Sequence, residues 1–332
     1  MGTEAGRRGA HGARRERGRA IVAASVLAAL ALIGAYLLLG RYPSPGFLSF
    51  ERLDRDPLAL RILLSLRAPR ALAALLLGAC LAGSGATFQA IFGNPLVEAG
   101  FLGVSQGAAF GAALALVLGA SGPYPVAASA FAFSLLALRV SLWLSKRFHF
   151  GGQVLRLVLS GIAVSAFFAS ALAATKYVAD PLSQLPDITF WTMGGLSAVT
   201  WGKVAAVAPI AAISLGAMLA LRWRATILSL DDEASRALGA RPELERGVLI
   251  VAATAGVAAM TALCGIVSWV GLVLPHAGRL LAGPDGRASI PASIGLGAVF
   301  VLVCDAAARS LFPGELPLGI VTSIAGSALF IL

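Results

Sequence analysis

The chain is expected to be an all-α membrane protein of about ten transmembrane helices with cytoplasmic N- and C-termini. Three observations predict this. Of its 332 residues 58% are apolar and only 13% charged. Mean hydropathy is +0.86. The basic residues gather at the ends of apolar runs rather than on one face. Such a composition has too little polar surface for a soluble fold of this length.

Residues 1–19 form a basic tail carrying Arg7, Arg8, Arg14, Arg15, Arg17 and Arg19, which the positive-inside rule holds in the cytoplasm. The tail resembles the n-region of a secretory signal, but the next run is too long for an h-region and lacks a small-x-small site before Tyr42 and Pro43. No cleavage is expected. Residues 20–332 then read as one polytopic domain, with apolar runs at 20–39, 71–92, 101–118, 124–138, 154–178, 204–221, 248–275, 290–308 and 316–332. The run at 248–275 is too long for one crossing and is interrupted by Gly256, Gly265 and Gly271. It predicts a full helix followed by a short re-entrant or half helix, which brings the count to ten.

The net charge of +10 is explained by loops rather than by nucleic-acid binding, which is not expected. Arg139, Lys146 and Arg147 mark one cytoplasmic loop; Arg222, Arg224, Arg236, Arg241 and Arg246 a second; Arg279 and Arg287 a third. Glycines, as in GACLAGSGA at 78–86, predict helices packed backbone to backbone. Cys80, Cys264 and Cys304 lie inside apolar runs with no CxxC, which predicts small core residues rather than metal ligands or a disulfide.

A polar elbow stands out at 275–290, where GLVLPHAGR from Gly271 leads into GPDGR from Gly283. A helix-breaking Pro275, a His, an Arg and loop glycines suit a water-facing hinge that something in the cytoplasm grips. No phosphate-binding loop occurs, since the only Gly-Lys pair, Gly202–Lys203, is followed by Val204. ATP and magnesium therefore belong to a partner, and no cofactor is expected in this chain. Carboxylates are sparse in the runs, Asp305 being the main one, which disfavours an ion-coupled secondary transporter, the alternative reading from composition.

From about Leu60 onward the chain resembles the FecCD-type permease family, the membrane subunits of type II ABC importers for iron-siderophores, heme and cobalamin. The resemblance rests on RAPRALAALLLGACLAGSGATFQAIFGNPL from Arg67, FLGVSQGAAFGA from Phe101, FWTMGGL from Phe190, GIVSWVGLVLPHAGRLLAGPDGR from Gly265 and DAAARSLFPGELPLGIVTSIAGSALF from Asp305. It departs at Ala99 and at Ser327–Ala328, where the family pattern has proline. The resemblance implies a cobalamin-permease-like fold in the bacterial inner membrane. It implies a second permease copy as a homodimer partner, an ABC ATPase dimer, and a periplasmic or lipid-anchored substrate-binding protein.

The resemblance also assigns residues. Pro275, His276, Arg279, Gly283, Asp285, Gly286 and Arg287 would couple to the ATPase; His276 is equally a helix-end histidine, and both glycines suit a plain turn. Arg67, Arg70 and Arg309 would dock the binding protein; snorkelling is the bland alternative, with an i, i+4 pair to Asp305 for Arg309. Gly85, Gln89, Asn94, Pro95, Gly103 and Gly107 would line the path or pack helices. The stretch from Tyr177 to Trp201 is expected at the outer face as a short amphipathic helix or an aromatic anchor. An intramembrane protease would need Ser84 or Ser160 beside His276.

Overall fold

The computed structural model describes residues 27, 31–42, 46–311 and 314–331. The basic tail 1–19 and half of the first apolar run lie outside them; residues 31–38 of that run are helical. A two-residue antiparallel hairpin follows, β1 (Leu39–Gly40) with β2 (Gly46–Phe47). Next come α1 (Phe50–Arg55) and α2 (Pro57–Ile62), the latter begun by Asp56, whose side chain accepts from the Leu58 N–H, with Pro57 in its first turn. A π-helical turn, Leu63–Arg67, joins α2 to α3 (Ala68–Phe92).

The bundle continues with α4 (Val104–Val117), α5 (Pro123–Arg147), α6 (Gln153–Val178), α7 (Gln184–Met193) and α8 (Trp201–Ala220). Then come α9 (Arg222–Ile227), α10 (Asp232–Ala237), α11 (Pro242–Cys264), α12 (Val270–Ala282), α13 (Gly286–Ser310) and α14 (Leu318–Ile331). Among the described residues six helices are long and apolar enough to span a membrane: the continuous 57–92 helix, α5, α6, α8, α11 and α13. Three shorter apolar helices, α4, α12 and α14, complete the bundle.

The long run at 248–275 divides as expected: α11 ends at Cys264, residues 265–269 are non-helical, and α12 is a half-length helix. The segment 177–201 contains the short helix α7. Elsewhere the loops are more helical than the charges suggested. Arg139 lies inside α5, because the apolar pattern runs on through Val140, Leu142 and Leu144 and only the last turn carries Lys146 and Arg147. The arginines from Arg222 to Arg246 decorate α9, α10 and the start of α11; Asp231 caps α10 by accepting from the Ala234 N–H. All three cysteines are free and buried.

The centre of the bundle is α3, buried over nearly its whole length because small residues line every face. A Cβ at Gly78 would collide with the Gly297 carbonyl of α13, and one at Gly85 with the Gly271 carbonyl of α12. Gly107 of α4 likewise faces the Phe133 carbonyl of α5, at 2.6 Å from a hypothetical Cβ. Helices in lipid gain little from apolar burial against one another, so this close approach is a main source of their association.

Gly85→Val is expected to destabilise the folded chain by more than ~2 kcal/mol by overpacking, read as detergent thermal unfolding. Gly216→Ala, at a site with no atom near a new Cβ, should stay within ~0.5 kcal/mol of the parent.

Candidate functional site: a buried charge cluster, a mid-bundle cavity and a helical elbow

At one end of the bundle α3 and α13 run antiparallel and bring Arg70 opposite Asp305. Arg70 Nε and Nη2 each donate to Asp305 at 2.8 Å, and Nη1 donates to both oxygens of Glu315 at 2.9 and 2.8 Å. The Asp305 side chain is fully buried, whereas that of Glu315 is 45% exposed. Tyr36 donates its hydroxyl to Asp305, and its ring lies 4.0 Å from the Arg309 guanidinium carbon. Arg309 also donates to the Tyr36 carbonyl, and Arg67 donates to the Leu37 and Leu38 carbonyls at 2.7 and 3.1 Å. The three arginines thus tie the 36–38 segment and Glu315 to α3 and α13.

The sequence placed Arg67, Arg70 and Arg309 together at one rim, and they are together, but none presents a free guanidinium. All three are under 10% exposed. The i, i+4 pair of Asp305 with Arg309 is not formed either. Asp305 is taken by Arg70 from the facing helix, whose planar fork matches both carboxylate oxygens. Glu315, which sequence reasoning passed over, is the cluster's exposed carboxylate. Beside it opens a cavity of about 550 Å³ lined by Arg70, Asp187, Trp191, Lys203 and Glu315. Nearby, in the turn before α7, the Ser183 and Leu182 N–H groups hold the exposed Asp180 carboxyl below the usual range.

Midway along α3 the non-helical segment 265–269 enters the bundle and ends at Trp269, the only non-glycine described residue with positive φ (72°). Bare backbone at this depth is tolerated only where protein or a polar cavity covers it. A cavity of about 200 Å³ does so, lined by Glu98, Ser105, Gln106, Ser165, Thr261 and Ser268. Glu98 was another omission. It sits in the glycine- and proline-broken stretch after α3, and a lone carboxylate there was the available signal. Gly103, at φ 82°, closes the 3₁₀ turn Ala99–Leu102 and starts α4 against Val164, while Asn94 and Pro95 lie in an exposed turn where Asn94 accepts from the Leu96 N–H.

Gln89 and Arg279, assigned separately by the sequence, meet at α12. Pro275 does not break this helix; it is buried inside it, and the helix runs on to Ala282. Proline lacks the N–H that would bond the Gly271 carbonyl four residues back. Gln89 Nε2 supplies it from α3, donating to the Gly271 and Leu272 carbonyls at 3.4 and 3.3 Å, and Gln89 Oε1 accepts from Arg279. The water-facing hinge therefore shrinks from 275–290 to the turn at 283–285.

That turn is backed by α9. Asp285 caps α13 by accepting from the Arg287 N–H, Thr226 Oγ1 bonds Asp285 at 3.2 Å and accepts from the Gly286 N–H, and Arg287 stacks 3.4 Å over Trp223. Gly283 sits at φ 90°, the plain turn conformation. His276 is exposed, its ring 6.4 Å from Phe330. Ser84 and Ser160 donate to carbonyls of their own helices, Leu81 and Leu157, so no serine–histidine pair forms.

These features define a multi-pass membrane permease with a discontinuous helix in its middle. The chain belongs to the FecCD transport family, whose model matches residues 21–332. It is 35% identical to the molybdate import system permease protein MolB of Haemophilus influenzae, over 84% of this chain and 82% of that protein. It is 38% identical to a probable iron chelatin transport system permease protein of Helicobacter pylori, over 81% of each. A solved inward-facing transporter assigned to the metal-chelate ABC type superposes with a TM-score of 0.87 at 33% identity, covering 94% of this chain and 97% of that one. The chain is thus an ABC importer permease, and the secondary-transporter reading falls.

Arg70→Ala should cost about 3–5 kcal/mol, because it leaves Asp305 buried with only the Tyr36 hydroxyl. Glu315→Gln, at a half-exposed partner, should cost about 1 kcal/mol or less. A detergent unfolding series on both variants tests the contrast; equal losses would refute it.

Proposed function

We propose that this chain is one half of a permease pair in a bacterial inner membrane, moving a metal chelate such as an iron-siderophore, heme or cobalamin into the cytoplasm. A substrate-binding protein, periplasmic or lipid-anchored, delivers the cargo at the Arg70–Asp305 end. An ABC ATPase dimer, holding ATP and magnesium, drives the opposite end, and this chain contributes transport rather than hydrolysis. The observation that carries the reading is family membership over residues 21–332 together with a relative named for an iron chelate. Identity of 35% to a molybdate permease favours an oxyanion as the second reading of the cargo.

In this reading the docking arginines act as positioning residues. Arg67, Arg70 and Arg309 hold the Glu315 loop and the 36–41 segment in register, and the exposed edge of Glu315 faces the binding protein. The coupling surface is composite. Gly283, Asp285, Gly286 and Arg287 form its turn, α9 and α10 supply its flank, His276 lies at its margin, and Pro275, Arg279 and Gln89 brace it from within. Two helical units locked by Thr226 and by the Arg287–Trp223 stack move as one body, which suits a push from below.

The test is ATPase activity of the reconstituted complex with its binding protein loaded with ferric siderophore, heme, cobalamin or molybdate. Stimulation by a chelate supports the proposal; stimulation by molybdate alone selects the oxyanion reading; no stimulation by any loaded protein refutes the coupling. In the same assay Asp285→Ala, which removes a cap of about 1 kcal/mol, and Trp223→Ala should each lower cargo-stimulated hydrolysis several-fold while leaving membrane insertion intact.

A further inference from the structure

A groove of about 1210 Å³ opens on the flank of the bundle, between the ends of α5 and α6 and the α10–α11 junction. It has no part in the charge cluster, the mid-bundle cavity or the elbow turn. Four cations line it, Lys146, Arg156, Arg236 and Arg241, against a single carboxylate, Glu243. Among the described residues the side chains of Lys146, Arg236 and Arg241 carry no ion pair, and two nearby carboxylates are engaged elsewhere: Asp232 with Arg246 at 2.5 Å and Glu245 with Arg224 at 3.7 Å. Arg156 donates through Nη1 to the Phe148 carbonyl at 3.2 Å, which leaves its buried Nε without a partner. With four cations against one carboxylate, the groove is a net positive concavity.

Its upper wall is apolar and open to the bilayer. Leu244, Val248 and Val251 of α11 are 61%, 47% and 49% exposed, and they climb one face at helical spacing. Trp143, 56% exposed beneath the Arg147 guanidinium at 5.1 Å, stands at the same level on α5, as an interfacial anchor does. Positive-inside bookkeeping puts this end in the cytoplasmic leaflet. A cationic floor joined to an apolar, membrane-facing wall matches an amphiphile with an anionic head, and basic pockets between helices on that side of a membrane suit such headgroups.

We propose that this groove is a binding site for an anionic phospholipid, its phosphate held by Lys146, Arg156, Arg236 and Arg241 and its acyl chains laid along Val248 and Val251. The bound lipid ties α10, part of the proposed coupling flank, to α5 and α6. The site itself rests on the membrane fold alone and stands whichever cargo the permease carries.

The experiment is native mass spectrometry of the delipidated full chain titrated with cardiolipin, phosphatidylglycerol and phosphatidylcholine of matched acyl chains. The parent should retain one anionic lipid at a concentration about tenfold or more below that needed for phosphatidylcholine. The triple variant Lys146→Gln, Arg236→Gln, Arg241→Gln, with Arg156 kept for its carbonyl bond, should bind all three lipids alike. Val251→Asn, an uncharged polar change at an exposed wall position, should weaken anionic-lipid retention independently of those cations. Equal retention of anionic and zwitterionic lipids by the parent overturns the proposal, as does an unchanged anionic preference in the triple variant. Displacement of the lipid by inorganic phosphate at equal concentration overturns it too, because the apolar wall would then contribute nothing. Loss of ATPase association in the triple variant with lipid binding intact assigns the groove to an acidic face of that partner instead.

Discussion

The structure depends on one constraint, the backbone-to-backbone contact of α3 with α12 and α13. Between helices in lipid the gain comes from dispersion and polar contacts at close range, so the absence of side chains at Gly78, Gly85, Gly271 and Gly297 is itself the attractive feature. That contact sets the register of everything else on these helices. With Gly78 against Gly297, eight residues toward one end bring Arg70 to Asp305. With Gly85 against Gly271, one turn further brings Gln89 to the open Gly271 carbonyl left by Pro275. Neither polar match would survive a shift of one helical turn, and each penalises such a shift by leaving a buried charge or carbonyl unpaired.

The two polar matches differ in kind. Arg70 and Asp305 form a buried ion pair, whose net contribution is modest and whose half-removal is costly, so it specifies register more than it adds stability. Gln89 is a neutral staple on a half helix. Its two contacts to α12 backbone are long, at 3.4 and 3.3 Å, and α12 begins at a strained residue beside a polar cavity. The α3–α13 contact is thus the stiff seam and α12 the softer one. α13 is about 37 Å long at 1.5 Å per residue, with Pro291 inside its second turn.

Much of this was legible in the sequence. Apolar runs of membrane length gave the helices, the glycine-broken run at 248–275 gave the α11–α12 discontinuity, and the resemblance carried by the Arg67, Gly265 and Asp305 stretches gave the family. What was not legible is pairing across the fold. Charge patterning offered Arg309 as the partner of Asp305 because i, i+4 is the neighbour a single helix provides, and only the antiparallel seam supplies Arg70 instead. Pro275 reads as a breaker when its own helix is considered alone; the Gln89 amide that replaces the missing N–H comes from a helix 182 residues away in sequence. Glu315 and Glu98 were missed because each stands in a short broken segment, where periodicity has no signal. The connection that carries Arg222, Arg224 and Arg236 was legible, but its two helices were not, because α9 and α10 are six residues each, too short for a pattern to repeat.

The dimensions of the interior bear on where cargo passes. The mid-bundle cavity holds about 200 Å³, below the roughly 300–1,000 Å³ of pockets that enclose drug-sized ligands. That is too small for a siderophore, heme or cobalamin, whereas the cavity beside Glu315, at about 550 Å³, falls within that range but opens at one end of the bundle. On the proposed reading of a bulky chelate as cargo, a route along the outside of this chain, on a face that a second permease closes off from lipid, suits these dimensions. The proposed permease pair would supply such a shared face. The buried polar groups of the single chain hold α3, α12 and α13 in register.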